Sequence, residues 1–447
     1  MKFLGIDIGT SSICGVVLDE NGDVLFTENR KNDATIAAND ALSHMQDVRK
    51  ILSVCRDIYA AALQKCVFLD AVGFTGQMHG VVFLDEQGNP LSPLYTWQHK
   101  IAACPSENGS YAEELSRITG YQVSPGYGTA TMYAMAKRQS IPRGARAVCT
   151  VHAFVAMQFC NAVRPVLHAS DAASFGTFDL KALRFDGAAL ARAGLDLSLF
   201  PDVTAENRMI GETAEGVPVS VAIGDNQASV LGSAPPDCVL VNVGTGSQVS
   251  AVADRYIKTS LADVRPYFEG RYLLTGCALA GGYAYSLLEK FFRETFRMFG
   301  VTPPGQLYPR MNEAAERVTV FPHTVPRFCG TRQDPAATAF IEGITETNFT
   351  PQALTRSVLD GIAEELFDLY SAFSPLLPAP RALVGSGNGI RKNPLLSKLF
   401  SDRFCLALHT PLFSEEAALG AALAALAAKT NVSVFSAQRL LRFSSET

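Results

Sequence analysis

One short pattern occurs twice in this chain of 447 residues, and it limits the folds that the chain can adopt. FLGIDIGTSS begins at Phe3 and LVNVGTGSQ begins at Leu240, and each is typical of a buried strand followed by Gly-Thr, a small residue and Ser. Asp7 of the first copy is replaced by Asn242 in the second. Because a chain of this length is too long for one hydrophobic core, we expect two domains with one turn in each.

The order of strands and helices around the two turns predicts an α/β fold. Strand patterns at 2–8, 13–19 and 23–28, with the hairpin signal Asn21-Gly22, predict an antiparallel meander. A helix near 39–65 and a buried strand at 69–75 follow. The consecutive prolines of APPD, at 234–237, indicate a linker, so we divide the chain into domains 1–233 and 234–447.

Composition excludes several classes of protein. A net charge of −5 leaves no basic footprint for nucleic acid. The apolar stretches near 148–163 and 417–428 are too short or too interrupted to span a membrane, and the first residues do not form a signal peptide, so we expect a cytosolic protein. The ten cysteines include no C-x-x-C pair, which argues against a zinc ribbon or a disulfide framework.

The first turn has the chemistry of a phosphate site. On strand 2–8, Asp7 shares a face with Gly5 and Gly9, so we expect that face to be free of bulk. The amides and hydroxyls of residues 9–12 can surround a phosphate. A single copy fits a hairpin with a capped Asp equally well, but two copies favour a polyphosphate held from both sides. Neither turn contains a lysine, so Mg²⁺ and amide dipoles must neutralise the charge.

A third glycine cluster, ALVGSGNGIRKNP, follows a strand pattern from Ala382. Its glycines do not have the dinucleotide spacing, and Asn393-Pro394 is typical of a helix start. The loop would let a flat ring approach the backbone, as an adenosine site requires, although a tight strand-to-helix connection explains it too. We expect the alanine-rich helix at 413–429 to pack beside this loop.

Three further stretches carry polar groups that suit a small polar ligand. GFTGQMHG, at 73–80, ends a strand with a dense group of amide and imidazole side chains. IGDNQAS places Asp225 between a strand end and a helix start, where it is either a proton acceptor or a helix cap. YTWQHK contains Trp97, the only tryptophan, which either lines a pocket or packs in the core.

These motifs, in this order, resemble those of the FGGY carbohydrate kinases over essentially the whole chain. The resemblance implies two actin-like, ribonuclease-H-like domains with ATP, Mg²⁺ and a small-molecule sugar bound in the cleft between them. It implies that Asp225 is the catalytic base and that Asp7 holds Mg²⁺ through water. The implied ligand-binding residues are Gly9, Thr10, Ser11, Ser12, Gly244, Thr245 and Gly246 for phosphate, Gly385, Ser386, Gly387 and Asn388 for adenosine, and Gln77, Met78, His79, Trp97, Gln98 and Asn226 for the sugar.

The resemblance also suggests the sugar. GQMHGVVFLD is shared by pentulose and heptulose kinases, whereas TWQ, SDAASFGTFDL and GYGTATMYAM resemble the heptulose branch. We therefore expect phosphoryl transfer to a primary hydroxyl of a ketose, with sedoheptulose preferred. His99 departs from this branch, which more often has Asp there. A pentulose kinase and a non-enzymatic actin-like ATP switch remain as alternatives, and both a monomer and a homodimer stay open.

Overall fold

Two mixed β-sheets, one from each half of the chain, form the frame of the computed structural model, which describes residues 1–332 and 334–444. The first sheet contains β1 (Lys2–Ile8), β2 (Ser12–Asp19), β3 (Val24–Lys31), β4 (Ala71–Gly76), β5 (Met209–Glu212), β6 (Pro218–Ser220) and β7 (Ile223–Gly224). The second contains β8 (Cys238–Val243), β9 (Ser247–Ala253), β10 (Asp263–Pro266), β11 (Tyr272–Ala278), β12 (Ala382–Ser386) and β13 (Leu408–His409).

The two sheets have the same topology. In the first, β1, β2 and β3 form an antiparallel meander and β4 pairs with β1 in parallel. In the second, β8, β9 and β11 form the meander and β12 pairs with β8 in parallel. This repeated arrangement confirms the prediction of a duplicated actin-like, ribonuclease-H-like fold.

Helices cover the faces of both sheets. The longer ones are α1 (Val48–Cys66), α2 (Tyr111–Thr119), α3 (Gly128–Lys137), α4 (Val151–Phe159), α5 (Asp225–Leu231), α6 (Gly281–Met298), α7 (Tyr308–Glu316), α8 (Pro351–Phe373), α9 (Pro394–Phe404) and α10 (Glu416–Thr430). Short helices span Ala169–Ala172, Gly187–Arg192, Asn388–Arg391 and Val434–Ala437. None of the helices in the described part of the chain is long and apolar enough to cross a membrane.

Short strand pairs lie outside the two main sheets. They are Thr35–Ile36 with Met45–Gln46 and Leu94–Tyr95, Val82–Leu84 with Ala147–Cys149, Pro105–Ser106 with Gly109–Ser110, Val166–His168 with Asp202–Thr204, Phe178–Asp179 with Arg184–Phe185, and His323–Val325 with Phe340–Glu342. The strand Met45–Gln46 carries Gln46, which belongs to the candidate site described below.

The meander and the hairpin at Asn21-Gly22 are confirmed, and Gly22 adopts a φ of 84°. The helix predicted over 39–65 is wrong at its start, because α1 begins only at Val48. Asp47 caps it by accepting the amides of Arg49 and Lys50. Upstream, the side chain of Asp40 accepts two backbone amides in a turn, so the chain is not helical there.

The alanine-rich helix α10 does not pack mainly beside the glycine loop, as the sequence predicted, but against the first sheet and α5. A Cβ on Gly5 would lie 1.9 Å from the carbonyl oxygen of Ala418, and one on Gly73 would lie 2.4 Å from that of Ala421. The expectation that glycines keep the face around Asp7 empty is therefore wrong at Gly5. The glycine is there because the helix backbone approaches the strand too closely for a side chain.

A prediction follows for Gly420 of α10, whose Cβ would lie 1.9 Å from the carbonyl oxygen of Ala228 in α5. Gly420→Ala should lower the free energy of unfolding by about 1–3 kcal/mol, because α5 and α10 must move apart. Since α5 begins at Asp225, kcat should fall as well. Gly305→Ala is the control, because nothing lies within 4 Å of its Cβ position. Chemical denaturation and turnover assays that give equal values for both variants would contradict the prediction.

Candidate active site

The first turn points its amide groups away from the body of the protein. The carbonyl oxygens of Gly9 and Thr10 accept the side-chain amides of Asn32 and Gln46, both at 2.9 Å, and that of Ser11 accepts the Asn32 backbone amide at 2.9 Å. In a trans peptide the carbonyl and the following N–H point in opposite directions. The amides of Thr10, Ser11 and the next residue therefore point outward, as a phosphate-binding turn requires.

The amide groups of the second turn also point outward, but backbone amides rather than side chains bond to its carbonyl oxygens. The carbonyl oxygens of Gly244 and Thr245 accept the backbone amides of Gly282 and Tyr283, at 2.9 and 3.0 Å, from the first turn of α6. The amides that follow these two carbonyls again point outward. Both copies of the repeat therefore present N–H groups to a ligand.

The exchange of Asp7 for Asn242 has a structural reason. The Asn242 side chain donates to the hydroxyl of Ser386 at 2.6 Å and so joins the second turn to the glycine loop. A Cβ on Gly387, whose φ is 82°, would lie 2.5 Å from the carbonyl oxygen of Val243. The loop thus fits closely against the second turn only without a side chain at this position.

The second turn and the glycine loop line one cavity of about 1100 Å³. Its lining residues include Gly244, Thr245, Gly282, Tyr283, Tyr285, Ser286, Gln306, Tyr308, Asn312, Gly387, Asn388, Gly389 and Lys392. Gly246, Gly385 and Ser386 do not line it; Ser386 supports the wall through Asn242. Asn393 caps α9, as predicted, by accepting the Leu396 amide at 3.1 Å. The cavity has the size and the aromatic side chains that a nucleoside requires.

Asp7 and Asp225 are buried carboxyl groups within electrostatic reach of one another. Burial, together with the Asp225 carboxylate, raises the pKa of Asp7 to about 7. Burial raises the pKa of Asp225 to about 6. Oδ1 of Asp7 is buried and has no hydrogen-bond partner among the described residues. Two carboxyl groups held this way are typical of a site completed by a cation or a substrate.

Asp225 does not cap its helix. The N-cap of α5 is Gly224, and no side chain caps that end. The capping interpretation is therefore wrong. The backbone amide of Asn226 lowers the pKa of the Asp225 carboxyl and offsets only part of the effect of burial. Next to it, Asn226 donates to Gln248 of β9 at 3.3 Å, which links α5 to the strand that follows the second turn.

A chain of polar side chains runs from the first turn to Trp97. Its indole N–H donates to the hydroxyl of Thr10 at 3.0 Å, and that hydroxyl donates to Gln77 at 3.4 Å. Gln77 in turn donates to Gln46 at 2.8 Å. The Trp97 residue is 47% exposed, so it does not pack in the core.

His79 is held as a neutral hydrogen-bond acceptor. Burial lowers its pKa to about 4, and its Nδ1 donates to the carbonyl oxygen of Ser174 at 2.7 Å. Its ring stacks on Tyr127, with centroids 4.4 Å apart. Since Nδ1 carries the proton, Nε2 has a free lone pair with which to accept a ligand hydroxyl.

The remaining predicted sugar residues have different surroundings. Met78 is buried beside Gly224, so it supports the base of α5. Gln98 is half-buried, and its backbone amide donates to Thr96 at 3.3 Å. His99 is buried and accepts the backbone amide of His44 at 3.2 Å, which makes its departure from the heptulose branch an internal packing feature.

Sequence reasoning missed a group of buried polar residues near Asp7 and Asp225. His152 Nε2 lies 3.0 Å from Asp171 Oδ2, and the Thr150 hydroxyl donates to the same oxygen at 2.6 Å. Both members of the His–Asp pair are fully buried, and a charge on His152 opposes the effect of burial on Asp7 and Asp225. Asp171 lies inside SDAASFGTFDL, so a signal existed, whereas His152 sits in an apolar run that suggests only core.

Duplicated sheets that each carry an outward-facing Gly-Thr turn, with two buried carboxyl groups near one another, are typical of a two-part actin-like phosphotransferase. Models of the FGGY family of carbohydrate kinases match residues 2–232 with its N-terminal domain and 239–429 with its C-terminal domain. The chain belongs to this family, and it is a sugar phosphotransferase.

Individual relatives agree with this assignment. The chain is 28% identical to human sedoheptulokinase, over 95% of this chain and 97% of the relative, and 26% identical to the mouse sedoheptulokinase, over 88% and 91%. A crystal structure of xylulose kinase from Rhodospirillum rubrum has the same fold, with a TM-score of 0.86, 20% identity and coverage of 100% and 93% of the two chains. ATP is the phosphoryl donor in this family, and the alternative of a non-enzymatic ATP switch is excluded by the assignment.

Proposed function

We propose that this protein transfers the γ-phosphoryl group of MgATP to a primary hydroxyl of a ketose, with sedoheptulose as the preferred substrate. The observation that carries the proposal is the Asp225 carboxylate, which caps no helix and lies within reach of the Asp7 charge. A carboxylate in that place is suited to accept a hydroxyl proton. The cytosolic location and the division into domains 1–233 and 234–447 remain predictions from the sequence.

The two turns would hold the polyphosphate from opposite sides. The outward amides of Thr10 and Ser11 bind one side, and those after Gly244 and Thr245 bind the other. Charge in a loose transition state spreads over the phosphoryl oxygens, so fixed N–H dipoles stabilise it without reorganising. The cavity beside the second turn would receive the adenosine, between Tyr283, Tyr285 and Gly387.

Asp7 fits a magnesium site, because its buried Oδ1 has no partner within the described residues. When bound there, Mg²⁺ neutralises phosphate charge and favours the ionised form of Asp7. Asn242 occupies the corresponding position of the second copy, and its amide is used up on Ser386. The cation site is therefore assigned to the first copy of the repeat alone.

Asp225 would accept the proton of the attacking hydroxyl. With a pKa of about 6 it is mainly ionised at neutral pH yet still able to take up a proton. His79 would accept a sugar hydroxyl through Nε2, and Gln77 and Asn226 would position others with Trp97 at the open side. Met78 and Gln98, the other two residues predicted for the sugar, would complete this site.

The preference for a seven-carbon ketose is supported by two relatives named sedoheptulokinase, at 28% and 26% identity over most of the chain. A pentulose kinase is the second candidate, because the GQMHG motif does not separate the two groups. Solved structures named xylulose kinase agree in fold, and at 20% identity they carry no argument on the sugar.

A coupled assay of ADP release over a panel of ketoses, aldoses and polyols tests the proposal. We expect sedoheptulose to give the highest kcat/KM, because a site built to bind its extra hydroxyls leaves buried polar groups unpaired when a shorter sugar binds. A pentulose that exceeds it by about tenfold would refute the heptulose preference. A sugar acid or a polyol that exceeds every ketose would refute the ketose class.

A further inference from the structure

The edge strand β10 carries a charged cluster that the predicted site does not include. Asp263 accepts a hydrogen bond from Arg265 at 3.3 Å and another from Arg332, which comes from the loop after Pro326. We call these three residues the arginine cluster. It contains two positive charges and one negative charge, so it keeps a net positive charge after pairing.

The register of the second sheet decides which way the cluster faces. Arg265 pairs with Leu273 and Asp263 pairs with Thr275 on β11. Leu273 is fully buried in the apolar cluster that includes Ile223 and Ala228 of the first half of the chain, whereas the next pair, Val264 with Leu274, faces the core of the second half. Because paired residues share a face, Asp263 and Arg265 lie on the side turned toward the first half.

Two further contacts place this face beside the sugar residues. The carbonyl oxygen of Pro266, next to Arg265, accepts the side-chain amide of Gln227 at 3.1 Å, and Gln227 lies two residues after Asp225. β10 also packs against the short helix Ala169–Ala172. The charges of Arg265 and Arg332 both lower the pKa of His79, so the guanidinium groups are within electrostatic reach of its ring.

The arginines keep most of their hydrogen-bonding capacity unused. A guanidinium has five N–H donors, and in the described residues each of these two spends one of them, on Asp263. Their side chains are 20% and 45% exposed, so solvent or a ligand can reach them. Guanidinium donors next to a carboxylate acceptor suit hydroxyl groups, which both donate and accept.

We propose that Asp263, Arg265 and Arg332 form the second wall of the sugar pocket and bind hydroxyls that only a longer sugar extends to this wall. The first wall is the group of Gln77, His79 and Trp97. This proposal rests on the proposed ketose kinase activity and adds a site that distinguishes sugars by the length of their carbon chain. A seven-carbon ketose reaches the arginine cluster, and a five-carbon ketose ends before it.

The test uses Arg265→Gln and Arg332→Gln in the full chain, with KM and kcat measured for sedoheptulose and for xylulose. We expect KM for sedoheptulose to rise by about tenfold or more, and KM for xylulose to change by less than about twofold, since only the longer sugar loses its partners. The matched control is Arg271→Gln, because Arg271 also pairs with an aspartate, Asp254 at 3.3 Å, but stacks on Phe435 and is not part of the arginine cluster. Melting temperatures identify any variant that fails to fold, and Arg332→Lys should restore part of the affinity.

The outcomes separate this proposal from the function. The sugar preferred by the wild-type protein tests the function, and the change in the KM ratio on substitution tests the arginine cluster. An equal rise of KM for both sugars, or no rise for either, would overturn the role of the cluster in distinguishing sugars by length. Wild-type turnover of a sugar acid that is lost in both arginine variants would overturn the hydroxyl assignment in favour of an anionic ligand.

Discussion

Replacing Asp225 with asparagine is expected to lower kcat by about 10²- to 10⁴-fold, because the proton acceptor is removed from the attacking hydroxyl. The fold should be retained, since Gly224 and not Asp225 caps α5, and asparagine has nearly the same shape. The melting temperature of the variant should equal or exceed that of the wild type, because a buried carboxylate becomes neutral. Initial rates of ADP release and a thermal melt measure both effects.

Asp186→Asn is the matched control for this variant. Asp186 does cap a helix, Gly187–Arg192, by accepting the Ala189 amide at 2.9 Å. Its replacement should leave kcat within about twofold of the wild type, because a cap contributes to stability alone. If Asp225→Asn keeps more than a tenth of the wild-type kcat at saturating sugar and ATP, the carboxylate is not the base.

Asp7→Asn should abolish most of the turnover and, at pH 8, raise the melting temperature. Turnover should fall by about 10²- to 10³-fold, because a cation at the phosphates loses its anchor. The stability effect follows from the sign of the pKa shift. The pKa of Asp7 is raised to about 7, so its ionisation destabilises the fold increasingly as the pH rises from about 4 to above 7. The asparagine of the variant cannot ionise, so the variant does not lose stability in this way.

Thermal melts of the wild type and Asp7→Asn at pH 4 and pH 8, with and without Mg²⁺, measure the effect of Asp7 ionisation on stability. We expect the gain in melting temperature at pH 8 to become small at pH 4, where Asp7 is protonated in the folded wild type and an unfolded aspartate, with a pKa of about 3.8, is only about half ionised. Mg²⁺ should stabilise the wild-type protein at pH 8 and have no such effect on the variant. Equal stabilisation of both proteins by Mg²⁺ would remove Asp7 from the cation site.

Several elements were predictable because their signals are local. The meander around Asn21-Gly22, the strand that ends at Gly224 and the helix start at Asn393-Pro394 all depend on residues close together in the chain. The repeat of the Gly-Thr turn predicted the duplicated fold for the same reason. The error in α1 is local too, since Asn39, Asp40 and Asp47 are all suitable N-caps and the hydrophobic pattern alone did not reveal that Asp47 is the one used.

The candidate site was only partly predictable. Its turns and Asp225 carry sequence patterns, but the interpretation of Asp225 as a cap was resolved only by the geometry of α5. His152 and Asp171 are nineteen positions apart and meet because α4 and the segment after β-strand Val166–His168 pack together. Arg265 and Arg332 are further apart still, and Asp263 joins them. No periodicity within a single segment indicates such contacts.

The amino-acid sequence by itself determined the duplicated strand-turn unit, the α/β class and the resemblance to carbohydrate kinases. Each of these depends on short patterns of residues that are close together in the chain. The tertiary structure decided what those patterns do. It placed α10 against Gly5 of the first sheet, used Asn242 to hold the glycine loop, and buried an oxygen of Asp7 that has no hydrogen-bond partner among the described residues. Two nearly identical strand-turn units thus differ because Asn242 is hydrogen-bonded to Ser386, whereas Asp7 is buried within electrostatic reach of a second carboxylate.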